Sequence, residues 1–187
     1  MSLDGFVAGP DDGADAPMGV GGFRLVDWLD LRHEPGAHGP VYAESLATRA
    51  VIAGRRTYEL AGRGQRDHHD GVPVFVLTHD VPEDPPPGSV RYVTGARGCA
   101  RQARERGRGR GRDGARGAGA AQALLRAGEL DELELHVVPV LLGHGRRLFD
   151  HLPAETVELE LVRCLSTPEV ADPAQRAAHL RYRVRRT

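Results

Sequence analysis

The chain of 187 residues carries 25 basic and 26 acidic residues, so its net charge at neutral pH is −1. A charge so close to zero provides no bulk electrostatic attraction to nucleic acid or to an anionic membrane. The chain contains no apolar run of about 18 residues, the length of a bilayer-spanning helix. Residues 1–13 lack the features of a signal peptide, and Cys99 and Cys164 have no metal-ligand spacing. These features predict a soluble cytoplasmic protein with no membrane partner and a single domain over residues 1–187.

The first half of the chain predicts alternating helices and strands. Helical spacing is expected over residues 41–49, and it leads into a short apolar strand at 50–53. A turn that opens a helix follows at 54–59. Residues 72–77 are continuously apolar, which is typical of a strand buried on both faces of a parallel sheet.

The last third alternates between apolar and polar residues. The alternation covers residues 132–140, 157–161 and 180–184, with Glu134 and His136 on the polar face of the first segment. A period of two with one polar face indicates half-exposed antiparallel strands. The order of elements predicts the α/β class, with a mixed and mostly parallel sheet, an antiparallel C-terminal hairpin and helices on both faces.

Residues 94–123 contain no Val, Ile, Leu, Met, Phe, Tyr or Trp, and eight arginines fall between Arg97 and Arg116. Without such side chains to bury, this segment predicts neither a strand nor an amphipathic helix. The chain also lacks Lys and Asn, and Ile52 is its only isoleucine, which indicates a GC-rich gene. Because GC-rich DNA read out of frame tends to encode Arg, Gly and Ala, one hypothesis is that the Arg/Gly-rich segment 94–116 is frameshifted.

A candidate anion site begins at Gly54. Gly54, Arg55, Arg56 and Thr57 follow a buried strand and start a helix. Free backbone N–H groups at a helix start, a hydroxyl and two guanidinium groups can together bind phosphate. The alternative is a capped helix with two solvated arginines.

Leu77, Thr78 and His79 end the second buried strand. Ligands of open α/β sheets bind beyond the carboxyl ends of the strands, where a hydroxyl and an imidazole could hold a ribose phosphate. The alternative is an ordinary junction between a strand and a turn.

A run of small residues, Gly117, Ala118, Gly119 and Ala120, precedes a helix-like stretch. Small residues at a helix start let a pyrophosphate rest on backbone amides. The run is not a complete G-x-G-x-x-G motif, because Gln122 replaces the third glycine and no strand is expected before it.

The polar cluster Asp67, His68, His69 and Asp70 suggests a metal site. Adjacent side chains on a polar loop do not converge well on a tetrahedral ion, and no other Cys or His has matching spacing. We therefore predict a solvated loop and no metal.

Five stretches occur in an order found in a known family. They are SLDGFVAGPDDG (2–13), GRRTYE (54–59), PVFVLTH (73–79), GAGAAQALLRAGELDELELHVVPVLLGHGRRLF (117–149) and HLRYRV (179–184). This combination resembles the dihydrofolate-reductase-like proteins that include the RibD C-terminal domain, the reductase domain of the bifunctional riboflavin-biosynthesis enzyme. The resemblance implies a three-layer fold with a mixed eight-stranded sheet, NADPH as hydride donor and a small heterocyclic substrate of the pyrimidine or pterin class.

The resemblance also implies roles for individual residues. Residues 7–8 lie beside the nicotinamide, 55–57 clamp the phosphates, 77–79 hold the adenine ribose and 117–120 lie under the pyrophosphate. The implied cofactor-binding residues are Val7, Ala8, Gly54, Arg55, Arg56, Thr57, Leu77, Thr78, His79, Gly117, Ala118, Gly119 and Ala120.

Three further residues are candidates on the substrate side. Asp4 and His136 could relay the proton that accompanies hydride transfer, and Trp28 could stack on a flat heterocycle. A purely structural role is the alternative for each of the three.

The chain also departs from the family pattern. Relatives carry a first, central strand before the SLDG motif and a strand before the residue equivalent to Gly117, while residues 171–178 resemble an insertion. One alternative function is therefore a catalytically impaired remnant that binds a cofactor or ligand. Another is an Arg-rich nucleic-acid binder, which the absence of interleaved aromatic residues disfavours. By analogy with the family, a homodimer is also expected.

Overall fold

The structure is a computed structural model that describes residues 1–62, 71–84, 90–106, 113–150, 152 and 156–185. The chain divides into two compact units, one of residues 1–44 with 130–187 and the other of residues 45–129. The α/β class expected from the sequence is confirmed. The expectation of a single domain stays a prediction.

Thirteen helices and strands follow one another along the described residues. They are β1 (Phe6–Ala8), α1 (His38–Leu46), β2 (Ala50–Gly54), α2 (Arg55–Leu60), β3 (Val74–Thr78), β4 (Val90–Thr94), α3 (Ala96–Arg106), β5 (Asp113–Arg116), α4 (Ala118–Arg126), β6 (Glu132–Val137), β7 (Arg146–Arg147), β8 (Leu159–Ser166) and β9 (Ala178–Val184). Short 3₁₀ helices lie at Gly22–Leu25, Asp27–Leu31 and Pro173–Gln175. None of the helices that the structure describes is long and apolar enough to cross a bilayer.

The unit of residues 45–129 contains a four-stranded parallel sheet in the order β4-β3-β2-β5. Residues 50–53 of β2 are buried, and Phe75 and Val76 of β3 are fully buried. The helices α2, α3 and α4 pack against the sheet. Burial of the two central strands explains why β2 and most of β3 are apolar instead of alternating.

The prediction that residues 94–123 contain no helix or strand is wrong. The structure places α3, β5 and the start of α4 there. Small side chains make this packing feasible, because Cys99, Ala100 and Ala103 form the buried face of α3. The strand β5 likewise passes close to Thr48, since a Cβ atom at Gly114 would lie 3.0 Å from Thr48 Cγ2. The described residues of this segment therefore pack through small side chains, and the frameshift hypothesis stays a hypothesis.

We predict that Ala103→Leu destabilises the chain. Ala103 is fully buried on the face of α3 that packs on the sheet, so the larger side chain overpacks this contact. Overpacking of a core typically costs about 1–3 kcal/mol, which urea unfolding would measure. Arg101→Leu, on the exposed face of the same helix, is the control and should change stability much less. Equal stability of both variants and the wild type would contradict the packing of α3.

The unit of residues 1–44 and 130–187 contains antiparallel strands. One sheet has the order β6-β9-β8, and β1 pairs with β7 in a separate two-stranded sheet. This confirms the antiparallel C-terminal strands expected from the period-two alternation. The described strands thus form three hydrogen-bonded sheets, whereas the resemblance implies a single eight-stranded one.

A network of charged side chains covers one face of the three-stranded sheet. Glu134 on β6 binds Arg181 at 2.6 Å and Arg163 at 2.8 Å, and both arginines also bind Glu44 of α1. The hydrogen bond from Arg163 is the largest cause that lowers the pKa of Glu44 to about 2. These ion pairs join α1 to the polar face of β6, β8 and β9.

Candidate functional site

Two helices begin at the same edge of the parallel sheet. Because β2 and β5 are adjacent and parallel, the helices that follow them, α2 and α4, start side by side. Their N-cap residues are Gly54 and Gly117, and neither helix start has a side-chain capping hydrogen bond among the described residues. The first amide N–H groups of α4, a helix of nine residues, are therefore not occupied by a capping side chain.

Close backbone approach explains the glycine at position 117. Gly117 has a φ of +84°, and a Cβ atom there would lie only 2.0 Å from Thr57 Oγ1. A Cβ atom at Gly54 would lie 3.6 Å from the amide nitrogen of Ala120. The structure thus brings Gly54, Thr57, Gly117 and Ala120 together, and we call residues 54–57 with 117–120 the anion cradle.

The end of β3 lies next to the anion cradle. Leu77 pairs with Gly54 in the parallel register of β2 and β3. The hydroxyl of Thr78 is buried; it donates to the carbonyl of Asp80 at 2.9 Å and accepts from the Asp80 amide at 3.3 Å. The side chain of His79 is exposed. The predicted ribose-binding residues therefore lie at the end of a strand that finishes at the same edge as the cradle.

The two predicted clamp arginines are exposed on α2. Arg55 donates from Nε to Glu59 Oε1 at 3.0 Å, one helical turn further on. An exposed ion pair of this type contributes little to stability, so Arg55 can exchange its partner at small cost. Both arginines carry positive charge beside the helix start, where an anion is also favoured by the helix dipole.

Val7 and Ala8, the residues expected beside the nicotinamide, form β1 in the other unit. Ala8 is buried, and its strand pairs with β7. Their role in cofactor binding stays a prediction.

Asp4 is held by the loop after β6. Its carboxylate accepts hydrogen bonds from the amides of Gly143 at 2.7 Å and Leu142 at 3.2 Å. A hydrogen bond from Ser2 is the largest cause that lowers the pKa of Asp4 to about 2. Asp4 is therefore ionised at neutral pH and is better suited to anchor this loop than to donate a proton.

His136 belongs to a chain of three histidines in the same unit. The Nδ1 atoms of His136 and His179 are 2.9 Å apart, and the Nε2 atom of His179 is 2.8 Å from Nδ1 of His38. Trp28 is buried among them, with ring centroids 4.8 Å from His136, 5.0 Å from His179 and 5.5 Å from His38. Trp28 thus packs the histidine chain (His38, His179 and His136), and its stacking on a substrate stays a prediction.

Burial is the main cause of the lowered pKa values of His38 and His179 in the histidine chain. Desolvation is the largest cause that lowers the pKa of His179 to about 3, followed by the charges of His136 and His38. Desolvation also lowers the pKa of His38, opposed by the backbone of Gln175 and by Glu169. His179 is therefore neutral at physiological pH, with one protonated and one unprotonated ring nitrogen.

His38 and His179 were not among the residues predicted from the sequence. For His179 a signal existed, because the alternation of β6 and β9 puts His136 opposite His179 and Glu134 opposite Arg181 in one register. For His38 no sequence signal existed, since it lies 141 residues from its partner.

The cluster Asp67, His68, His69 and Asp70 lies outside the described residues. Within the described ranges, no group of three or more His, Cys, Asp or Glu residues could hold a metal ion.

Comparison with known proteins supports the resemblance found in the sequence. The family model for the RibD C-terminal domain matches residues 115–171. A protein from Shewanella sp. PV-4, provisionally assigned to riboflavin biosynthesis, superposes with a TM-score of 0.68 at 21% identity, covering 100% of this chain and 96% of its own. Dihydrofolate reductase from Enterococcus faecalis, complexed with NADP(H) and RAB-propyl, has a TM-score of 0.57 at 15% identity, covering 79% of this chain and 82% of its own.

No curated protein sequence matches the chain. The dihydrofolate-reductase-like fold is confirmed, and the family match supports the resemblance to the RibD C-terminal domain.

We predict opposite effects of two alanine substitutions in the anion cradle. Gly117→Ala should destabilise the chain by at least about 1–3 kcal/mol, because only glycine tolerates this backbone conformation and the new methyl group meets Thr57. Gly119→Ala should instead leave stability unchanged or raise it by about 0.5–1 kcal/mol, since nothing lies within 4 Å of its Cβ position in α4. Thermal and urea unfolding measure both. Equal effects would contradict the close contact of Gly117 with Thr57.

Proposed function

We propose that this chain is an NADPH-dependent reductase of a small heterocyclic substrate of the pyrimidine or pterin class. The family match and the dihydrofolate-reductase-like neighbours support a reductase-type family. The proposal of a dinucleotide cofactor rests on the anion cradle. There, two helices begin and two arginines lie at the carboxyl edge of a parallel sheet. This arrangement fits a phosphate-bearing cofactor.

The residues of the cradle fit the charged parts of NADPH. The amides of Ala118, Gly119 and Ala120 at the start of α4 would hold the pyrophosphate, with Gly117 allowing close approach. The guanidinium groups of Arg55 and Arg56 would bind the phosphate on the adenine ribose, since a guanidinium forms paired hydrogen bonds with phosphate oxygens. When bound, the cofactor supplies a hydride.

Reduction of a C=N or C=O bond also requires a proton. Of the two candidate proton carriers, Asp4 has a pKa lowered to about 2 and is unsuited to donate a proton at neutral pH. His136 keeps an imidazole that is half-buried and linked to His179. We therefore propose His136 as the group that exchanges the proton with the substrate, with Val7 and Ala8 beside the nicotinamide and Trp28 positioning the histidine.

The alternative functions have weaker support. An impaired remnant was suggested by the Arg/Gly-rich segment, but α3 and β5 fold within it and β5 leads directly into the cradle. A nucleic-acid binder would use the arginines of α3; one of them, Arg104, is paired with Glu129 at 2.6 Å. Steep loss of nucleic-acid affinity with salt would be the sign of that function.

We further propose a cytoplasmic homodimer. Cys99 and Cys164 are unpaired, which fits a reducing compartment. The edge strand β8 exposes Leu159, Leu161 and Val162, and a second copy would cover them. Sedimentation equilibrium tests this proposal: a monomeric wild type at micromolar concentration would contradict it.

We predict that Arg55→Ala and Arg56→Ala together weaken NADPH binding. Loss of a charge-assisted hydrogen bond costs about 1.5–3 kcal/mol, so the dissociation constant for NADPH should rise about tenfold or more, whereas that for NADH should change little. Nicotinamide fluorescence titration measures both constants. The charge-matched control, Arg101→Ala with Arg106→Ala on α3, should leave both unchanged. Equal losses for NADPH and NADH, or none, would contradict the phosphate clamp.

A further inference from the structure

We propose that His38, His179 and His136 form a proton relay that opens at a groove beside His38 and ends at His136. The role of His136 at the substrate rests on the proposed function, because the relay would deliver the proton that the proposed reduction consumes. The outer end and the connectivity of the relay rest on geometry alone.

The connectivity is continuous from ring to ring. Both N–N distances, 2.8 Å and 2.9 Å, are ordinary hydrogen-bond lengths. His179 uses both ring nitrogens, Nε2 toward His38 and Nδ1 toward His136. A neutral imidazole donates through one nitrogen and accepts through the other, so the orientation of one hydrogen bond determines that of the next. The tautomer of His136 is thereby coupled to that of His38, with which it makes no direct ring hydrogen bond.

The outer end of the chain lies at a groove. His38 is 3% exposed, its Nε2 atom has no partner in hydrogen-bonding geometry among the described residues, and the nearby backbone of Gln175 opposes the lowering of its pKa by burial. The ring lines a groove of about 450 Å³ between residues 31–38 and 167–175. Exposed Glu34, Glu169 and Asp172 also line the groove. A buried polar atom without such a partner is costly, and one that borders a groove lined by acidic side chains can exchange protons with solvent.

Each proton that leaves a ring nitrogen in the relay is replaced by another. A proton from water binds the Nε2 lone pair of His38, and the Nδ1 proton of His38 moves to Nε2 of His179. The Nδ1 proton of His179 then moves to Nδ1 of His136. The Nε2 proton of His136 leaves to the substrate atom that received the electron pair of the reduced double bond. After product release, a proton from water binds Nε2 of His136, the Nδ1 proton of His136 returns to Nδ1 of His179, and the Nε2 proton of His179 returns to Nδ1 of His38. His38 then releases its Nε2 proton to water, which restores the starting tautomers.

The surroundings keep the middle ring neutral and oriented. His179 is fully buried, and burial lowers its pKa to about 3, so a proton passes through this ring without remaining on it. The charged or titratable groups that act on it are His136, His38, Glu134 and Arg163. Trp28 contacts all three imidazoles and restricts their rotation.

Nitrogen NMR of the full chain labelled with ¹⁵N-histidine tests the relay without a substrate. We expect scalar couplings across both N–N hydrogen bonds in the wild type, a result that does not depend on whether any variant folds. We also expect His38→Gln to change the tautomer ratio and the pKa of His136, although these residues are not bonded to each other. The exposed control, His144→Gln, should change neither. Uncoupled rings in the wild type, or a folded His38→Gln protein with an unchanged His136, would overturn the relay.

Single-turnover kinetics with NADPH and a panel of pyrimidines and pterins tests proton delivery. We expect His38→Gln to slow hydride transfer about tenfold or more and to alter its pH profile and solvent isotope effect, with NADPH affinity unchanged. An unchanged rate in His38→Gln, despite couplings in the wild type, would overturn proton delivery. If the wild type reduces no compound, the proposed function fails, while the NMR couplings still decide the relay.

Discussion

The parallel pairing of β2 with β5 is the constraint on which the candidate cofactor site depends. It makes α2 and α4 begin side by side at one edge of the sheet, and it brings Gly117 so close to Thr57 that no side chain fits. The start of α4 then lies beside the start of α2, whose first two residues are exposed arginines. Neither the glycine run nor the arginine pair is a specific motif alone. Their value for binding comes from the strand register that makes them neighbours.

A second register constraint operates in the antiparallel sheet. The pairing of β6 with β9 sets His136 opposite His179 and, two residues away, Glu134 opposite Arg181. The ion pairs of Glu134 with Arg181 and Arg163 stabilise this register, because a shift by one residue would turn every polar side chain to the opposite face. The strand pairing that forms these ion pairs therefore also places the imidazoles of His136 and His179 side by side. The ring of His38, which is next to His179, lines the groove. Structural and functional roles of these polar residues are therefore difficult to separate by substitution of Glu134 or Arg181.

Much of the fold could be predicted from local patterns, and the failures have physical causes. The apolar run at 72–77 and the alternation at 132–140 predicted buried and half-exposed strands, because burial on two faces or one imposes those patterns. The segment 94–123 was mispredicted because the buried residues of α3, Cys99, Ala100 and Ala103, are small. Such side chains pack by letting the helix approach the sheet closely, and they produce no apolar pattern of large residues. Individual cradle residues could be named from the helix starts and the family resemblance. His38 could not, since only the folded chain brings it to His179.

The most direct test of the account is a crystal structure of the chain grown with NADP⁺. We predict that the pyrophosphate lies against the amides of Ala118, Gly119 and Ala120 and that the phosphate on the adenine ribose contacts Arg55 or Arg56. Ordered NADP⁺ at any other place, or crystals that exclude it at millimolar concentration with the cradle exposed to solvent, would contradict the claim that two adjacent helix starts form a cofactor site.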